Sequence, residues 1–433
     1  MRLTLLLILT LLAAAPVARA AGPEIGVADD RVLLAGGPKA DRAVAEWRAD
    51  GVDDVRIFAQ SRRIERWGWS ELDAAVARVR GAGMKVILTV LGPRRPSVSH
   101  FAAFAGEVAA RYGADVDRYI IWNEPNLRVW LAPQAKCSHG HCTPVAPHLY
   151  RALVRAARPA IRAADPGAEV LIGALSSRGQ KLRSPSSTER PMVFLRALGC
   201  VDRGYHRLRT GACKGFRPAA GDGFAFHPHG TLTAPDRPYW NPDDVDLASL
   251  GRLEHALDRL QRGGRLQAST RRLGIFIDEY GYQTRPPDRT AGVSLATQDR
   301  WLQMADYLAW RDHRVRLLTQ YQWFDEPVSR ACYPFGGWQS GLRFLDGRPK
   351  PAFAHFDTPM QIDARRSLLW GQARPGGAQT VRVERKRRGG RRYTLLARVR
   401  TDARGYWTLR RRLARGACYR FRTPLATSAG FRR

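Results

Sequence analysis

Two acidic residues stand at the ends of otherwise apolar runs: Glu124 in "YIIWNEPN" (119–126) and Glu279 in "LGIFIDEYG" (273–281). Two carboxylates facing one another across a cleft are what cleavage of a glycosidic bond requires. One donates a proton to the departing oxygen, and the other attacks the anomeric carbon or activates water. A single glutamate at a strand end is more simply a helix cap or a surface ion pair, whereas two in matching positions point to chemistry. A third stretch, "FHPHG" (226–230), adds His227 and His229.

These residues need a scaffold that brings them to one place. Between residues 22 and 330 eight short, nearly continuous apolar runs occur at 24–30, 54–60, 85–92, 118–124, 169–175, 223–229, 273–279 and 316–324. Such runs are expected of parallel strands buried on both faces. The segments between them carry helical periodicity, with Ser70 and Ser99 as expected N-caps and Gly81 and Gly83 closing one helix. The pattern predicts an α/β fold, a (β/α)8 TIM barrel, over residues 21–358. No Gly-rich phosphate loop follows the first run, as a dinucleotide-binding open sheet would require. Barrel active sites lie at the carboxyl ends of the strands. Glu124 would then end the fourth strand and Glu279 the seventh. Alternation along a strand places Glu279 with Ile275 and Ile277, and Glu124 with Trp122, on faces expected to be the ring interior.

"WNEPN" at the fourth strand with "DEYG" at the seventh resembles the clan A glycoside hydrolases, in the manner of families 5 and 39. The resemblance spans roughly residues 22 to 356 and extends to "SGLRFLDGRPKPAF" (340–353). It implies a retaining double displacement with Glu124 as acid/base and Glu279 as nucleophile. It further implies that Asn123 binds the sugar 2-hydroxyl, that Arg56 holds the nucleophile ionised, and that Trp323 is the platform under the reacting sugar. His227 fits the same pattern, and His229 stands where many members carry a tyrosine. The third strand ends "LGPRR", without the histidine that some families place there.

Trp67, Trp69, Trp130, Tyr239, Trp240, Tyr282 and Trp338 fall in segments expected on the catalytic side, where aromatic faces stack on sugar rings. Trp130 and Tyr282 are taken as substrate-binding residues. Two other readings remain open: a non-catalytic carbohydrate-binding barrel, and a metal-dependent hydrolase using His227 and His229 with Asp29 or Asp30. The glycosidase reading calls for no metal and no cofactor, with an oligo- or polysaccharide as substrate.

The 433-residue chain opens with a positive residue, an apolar run too short to span a bilayer and an A-x-A site at Ala18–Ala20. Residues 1–20 are thus expected to be an export signal and the protein to be secreted, with no membrane span. Six cysteines suit an oxidising compartment. Proximity pairs Cys137 with Cys142 and Cys200 with Cys213, leaving Cys332 for Cys418. "CSHGHC" (137–142) also has the residue types of a zinc knot, but four ligands from six consecutive residues are sterically cramped.

From residue 359 short alternating runs separated by Gly-containing turns predict a small antiparallel β-sandwich. Residues 361–433 hold 21 Lys+Arg against 3 Asp+Glu, which makes 18 of the net +32 charges. Such a segment attracts anionic polymers, an acidic cell-surface glycan or nucleic acid among them. A plain arginine bias is the competing explanation, since 64 of the 71 basic residues are arginine.

Overall fold

The computed structural model describes residues 22–328 and 337–433. Each apolar run forms a strand: β1 (Glu24–Ala28), β2 (Asp54–Gln60), β3 (Lys85–Leu91), β4 (Arg118–Ile121), β5 (Glu169–Ser176), β6 (Gly223–His227), β7 (Gly274–Tyr280) and β8 (Val315–Tyr321). All pair in parallel and the sheet closes, with β1 against both β2 and β8. Continuous apolarity has the expected cause. Ile87, Ile120, Leu171, Ala225, Phe276 and Leu317 fill the barrel, and the alternate residues Val55, Ile57, Val86, Leu88, Ile275 and Ile277 pack outward in the main core.

Two expected caps move by a residue or two. Ser70 is the first helical residue of Ser70–Gly81, after Trp69. Ser97, not Ser99, caps Val98–Tyr112, because Ser97 is the last residue with extended backbone and its hydroxyl accepts from the His100 N–H.

The amino-terminal mouth of the barrel is plugged by charge. Arg118 donates to Glu24 at 2.8 Å and to Glu169 at 2.7 Å, and also pairs with Asp54, while Lys85 reaches Glu24 at 2.5 Å. The opposite mouth is left for the site.

Beyond the barrel, β9 (Met360–Asp363), β10 (Leu368–Gln372), β11 (Thr380–Lys386), β12 (Thr394–Arg400), β13 (Tyr406–Arg410), β14 (Cys418–Arg422) and β15 (Phe431–Arg432) form two antiparallel sheets, β9–β10–β13 and β12–β11–β14–β15. Met360, Leu369, Val381, Val383, Trp407, Tyr419 and Phe421 form their shared core. The sandwich docks on helix Leu295–Arg311, where Trp370 packs on Tyr307 and Trp310. The buried Arg374 pairs there with Asp306 at 2.6 Å.

Cys137–Cys142 and Cys200–Cys213 are disulfide-bonded, the first across a two-stranded hairpin, so "CSHGHC" is a bridged turn. The expected third bridge requires Cys332, which lies outside the described residues, as does the expected export signal. Among the described residues Cys418 has no disulfide partner, and no helix is long and apolar enough to cross a membrane.

Candidate active site

At the carboxyl ends of the strands a buried arginine organises the site. Arg56, pointing inward from β2, donates to Glu279 Oε1 at 2.5 Å and to Asn123 Oδ1 at 2.6 Å. Its Nε lies 2.9 Å from Thr89 Oγ1 and 3.1 Å from Asp278 Oδ2. One planar guanidinium thus fixes side chains from the ends of β3, β4 and β7, using the fork geometry that suits arginine to such work.

Glu124 and Glu279 reach this place by breaking strand alternation. On β7, Ile275 and Ile277 face the helices and Phe276 faces inward, so simple alternation would send Asp278 in and Glu279 out. The register against β8 shifts between Ile277 and Tyr280, and both acids end up beside Arg56. After β4, Trp122 turns outward against Phe101, with φ of 73°, and Glu124 has φ of 37°. Each left-handed non-glycine residue costs on the order of 1–3 kcal/mol and tends to mark a functional site. The parity argument therefore named the right residues for the wrong reason. The rest of "WNEPN" holds this path: Asn126 donates to Ser176 O and Glu189 O and accepts from Ser176 N, tying the loop to β5.

His227, inward from β6, joins the two glutamates. Its Nδ1 is 3.2 Å from Glu124 Oε1 and 3.6 Å from Glu279 Oε2, and its Nε2 is 3.1 Å from Asp278 Oδ2. Burial alone would push the imidazole down, but Glu279 and Asp278 outweigh it and raise it to about 10. Glu279 is likewise opposed by burial, yet His227 and Arg56 hold its carboxyl well below the usual range. Glu124 faces a different neighbour on its other oxygen, the Trp130 Nε1–H at 3.0 Å. Trp130 stacks on Phe58, and the Arg56 guanidinium lies over that ring.

His229 places Nε2 3.7 Å from Glu279 Oε2 and stacks on Trp338. His227, His229 and Glu279 offer atoms within 4.8 Å of one another, a spacing a metal could use. They fit a metal poorly: both nitrogens of His227 face carboxylates, its proton is retained, and Arg56 already neutralises Glu279. Asp29 accepts from the Phe324 N–H at 2.9 Å through Oδ2, and neither it nor Asp30 belongs to that group of atoms.

The structure brings together seven of the nine expected site residues: Glu124, Glu279, Asn123, Arg56, His227, His229 and Trp130. It removes two. Trp323 is fully buried, donates to Glu46 at 2.8 Å and packs edge-on against Trp47 and Phe356, where no substrate can reach. The eighth strand instead presents half-buried Tyr321 inward, edge-on to His229 and Trp338. Tyr282 is also core, donating to Thr233 O and packed on Trp301. Of the other aromatics, Trp338 joins the site, Trp69 packs on Phe104 and Tyr112, Tyr239 is buried, and Trp67 and Trp240 are exposed.

Sequence reasoning missed Asp278, Thr89 and Tyr321, and considered Asp30 only as a metal ligand. Asp278 precedes Glu279 in "DEYG", and alternation from Phe276 would have found it. Asp30 begins the helix after β1; burial, with Asp29 and Glu279 against Arg56, pushes its carboxyl up to about 7.

Behind the loop lies an acid without a counter-charge. Both carboxyl oxygens of Glu189 are buried and unpartnered among the described residues, and burial pushes it up to about 8 against weak opposition from Arg196. The folded chain thus keeps a proton that the unfolded chain releases near pH 4.5, so this residue costs stability increasingly as pH rises towards 8. Glu189→Gln should match wild-type Tm near pH 5 and exceed it by several degrees near pH 8. An equal difference at both pH values would contradict the assignment.

No family model and no curated protein matches the sequence. Among solved structures the chain is similar to a GH10 endoxylanase from a sugarcane soil metagenome (12% identity, TM-score 0.48, 77% of this chain and 96% of that one). It is also similar to GH5_18 from Streptomyces cattleya in complex with GlcNAc (17%, 0.48, 77% and 79%). A third likeness is to beta-glucuronidase 2 of Bacteroides uniformis (11%, 0.49, 95% and 45%), so the chain spans under half of that protein's length. No activity is inferred from likeness at this level.

Proposed function

We propose that the chain is an exported retaining glycoside hydrolase acting on an oligo- or polysaccharide. The observation that carries this reading is the pair of glutamates in unlike environments at one mouth of the barrel, joined through His227 Nδ1. Glu279, held ionised by Arg56 and His227, attacks the anomeric carbon while the C–O bond to the leaving group breaks. Glu124 delivers its proton to that oxygen. Glu124, now a carboxylate, then takes a proton from water, whose oxygen displaces Glu279 and restores both groups. The two glutamate oxygens around Nδ1 are no further apart than those two contacts laid end to end, a separation compatible with the ~5 Å spacing of double displacement. Arg56 engages the carbonyl oxygen of Asn123, leaving its amide N–H groups for a sugar hydroxyl. Tyr321 takes the platform role first expected of Trp323. The two disulfides suit an oxidising compartment.

A screen of aryl glycosides and polysaccharides should reveal at least one substrate for the wild type. Glu124→Ala should lose ~10²–10⁴-fold on poorly activated substrates but far less on dinitrophenyl glycosides, whose leaving group needs no proton. Equal loss on both classes would remove Glu124 from the acid/base role. Binding of oligosaccharides without turnover by the wild type would favour a non-catalytic barrel.

A further inference from the structure

The β12–β11–β14 sheet places like charges directly opposite one another. Arg382 on β11 is the cross-strand partner of Arg398 on β12 and of Arg422 on β14, so three exposed arginines form one row across three strands. Arg400 is exposed two residues along from Arg398. Alternate residues Val381, Val383 and Phe421 point into the sandwich core, which fixes the arginines on the outer face. Like charges in opposed positions destabilise a sheet. A local rule broken without compensation within the fold points to an external partner.

Compensation is absent among the described residues. Of the three acids after residue 360, Glu384 pairs with Arg420 at 2.8 Å, Asp363 accepts from Tyr307 and lies near Arg366, and Asp402 accepts turn N–H groups of Arg404 and Tyr406. None faces the row. By contrast, the basic residues at the junction with the barrel are paired, Arg374 with Asp306 and Arg404 with Glu24. Arginine is abundant throughout the chain, but in this row three are stacked in register with no acid opposite any of them.

We propose that this outer face binds a linear acidic polysaccharide, one bearing carboxylate or sulfate groups, along the Arg398–Arg382–Arg422 row. Strands lie ~4.8 Å apart, so the row spans about 10 Å and offers planar forks to successive anionic groups. Nucleic acid fits less well. Among the described residues, the outward positions of β11, β12 and β14 hold no aromatic on which a base could stack. Neighbouring Tyr393 already has Arg420 at 4.0 Å and Lys386 at 5.0 Å from its ring centre, leaving no free stacking platform. The inference is independent of the barrel's chemistry and stands whether or not Glu279 is a nucleophile.

The test uses the intact chain and measures affinity for polygalacturonate, dextran sulfate and a single-stranded DNA oligonucleotide across a salt series. Wild type should bind the two polysaccharides. The triple variant Arg382→Gln/Arg398→Gln/Arg422→Gln should bind them at least ~10-fold more weakly at about 0.1 M salt, with a log–log salt slope smaller by about two to three. Its Tm should hold or rise, because opposed like charges are removed. A charge-matched control, Arg155→Gln/Arg217→Gln/Arg300→Gln, changes exposed arginines elsewhere and should bind as wild type. An equal loss in the control, no wild-type binding to either polysaccharide, or tighter binding of the DNA would each overturn the proposal.

Discussion

Glu279→Gln is expected to abolish turnover, lowering kcat/KM by at least ~10³-fold, while the protein stays folded. Glutamine keeps the size of the side chain and an oxygen that can accept from Arg56, but it is a far poorer nucleophile. The folded state tolerates the change because Asp278 remains beside both Arg56 and His227. The variant should also show a lower titration point for His227, since Glu279 is the leading cause opposing burial in raising it to about 10. In the wild type that imidazolium contributes stability fully present below about pH 6.5 and lost as pH rises through about 10. Smaller losses on alkaline titration of the variant would accompany loss of activity. A folded Glu279→Gln protein that turns over like wild type would sink the assignment.

The second large effect belongs to Arg56. Arg56→Gln removes the cation that touches Glu279 and Asp278, two carboxylates taken almost wholly out of water. Stranding buried charge in this way costs on the order of 3–5 kcal/mol, a Tm fall of roughly 3–6 °C for a chain of this size. The sign with pH is specific. Without Arg56 the carboxylates bind protons more readily in the folded state, so the Tm deficit should shrink as pH is lowered. Arg56→Lys should recover part of the stability but little activity, because one ammonium cannot serve Glu279, Asn123 and Asp278 at once. Unchanged Tm in Arg56→Gln at neutral pH would mean that the cluster does not depend on its cation.

The barrel was readable because strands buried on both faces write themselves as unbroken apolar runs, and each of the eight runs became a strand. The carboxylates were readable because polar residues ending such runs stand out. What alternation could not give was how they turn inward: Trp122 and Glu124 take left-handed backbone, and β7 slips register after Ile277. The same limit explains Trp323. The resemblance, with Trp323 near the end of the eighth run, suggested a platform, but β8 ends at Tyr321, and two residues further the chain has already turned Trp323 into the core beside Trp47. Tyr282 was misplaced for a similar reason, since an aromatic after a strand can close the outer core as readily as line a cleft. Charge at the carboxyl terminus was visible as a count, but only strand pairing placed Arg398, Arg382 and Arg422 in one row.

The central claim is that Glu279 forms a covalent bond to the sugar. Incubation with a panel of dinitrophenyl 2-deoxy-2-fluoroglycosides, followed by peptide mass spectrometry, tests it directly. The account predicts time-dependent inactivation by the panel member matching the substrate, with the added fluorosugar mass on the peptide containing Glu279 and none on that peptide in Glu279→Gln. Turnover of the matching substrate to product of inverted anomeric configuration, with no adduct on Glu279, would contradict it.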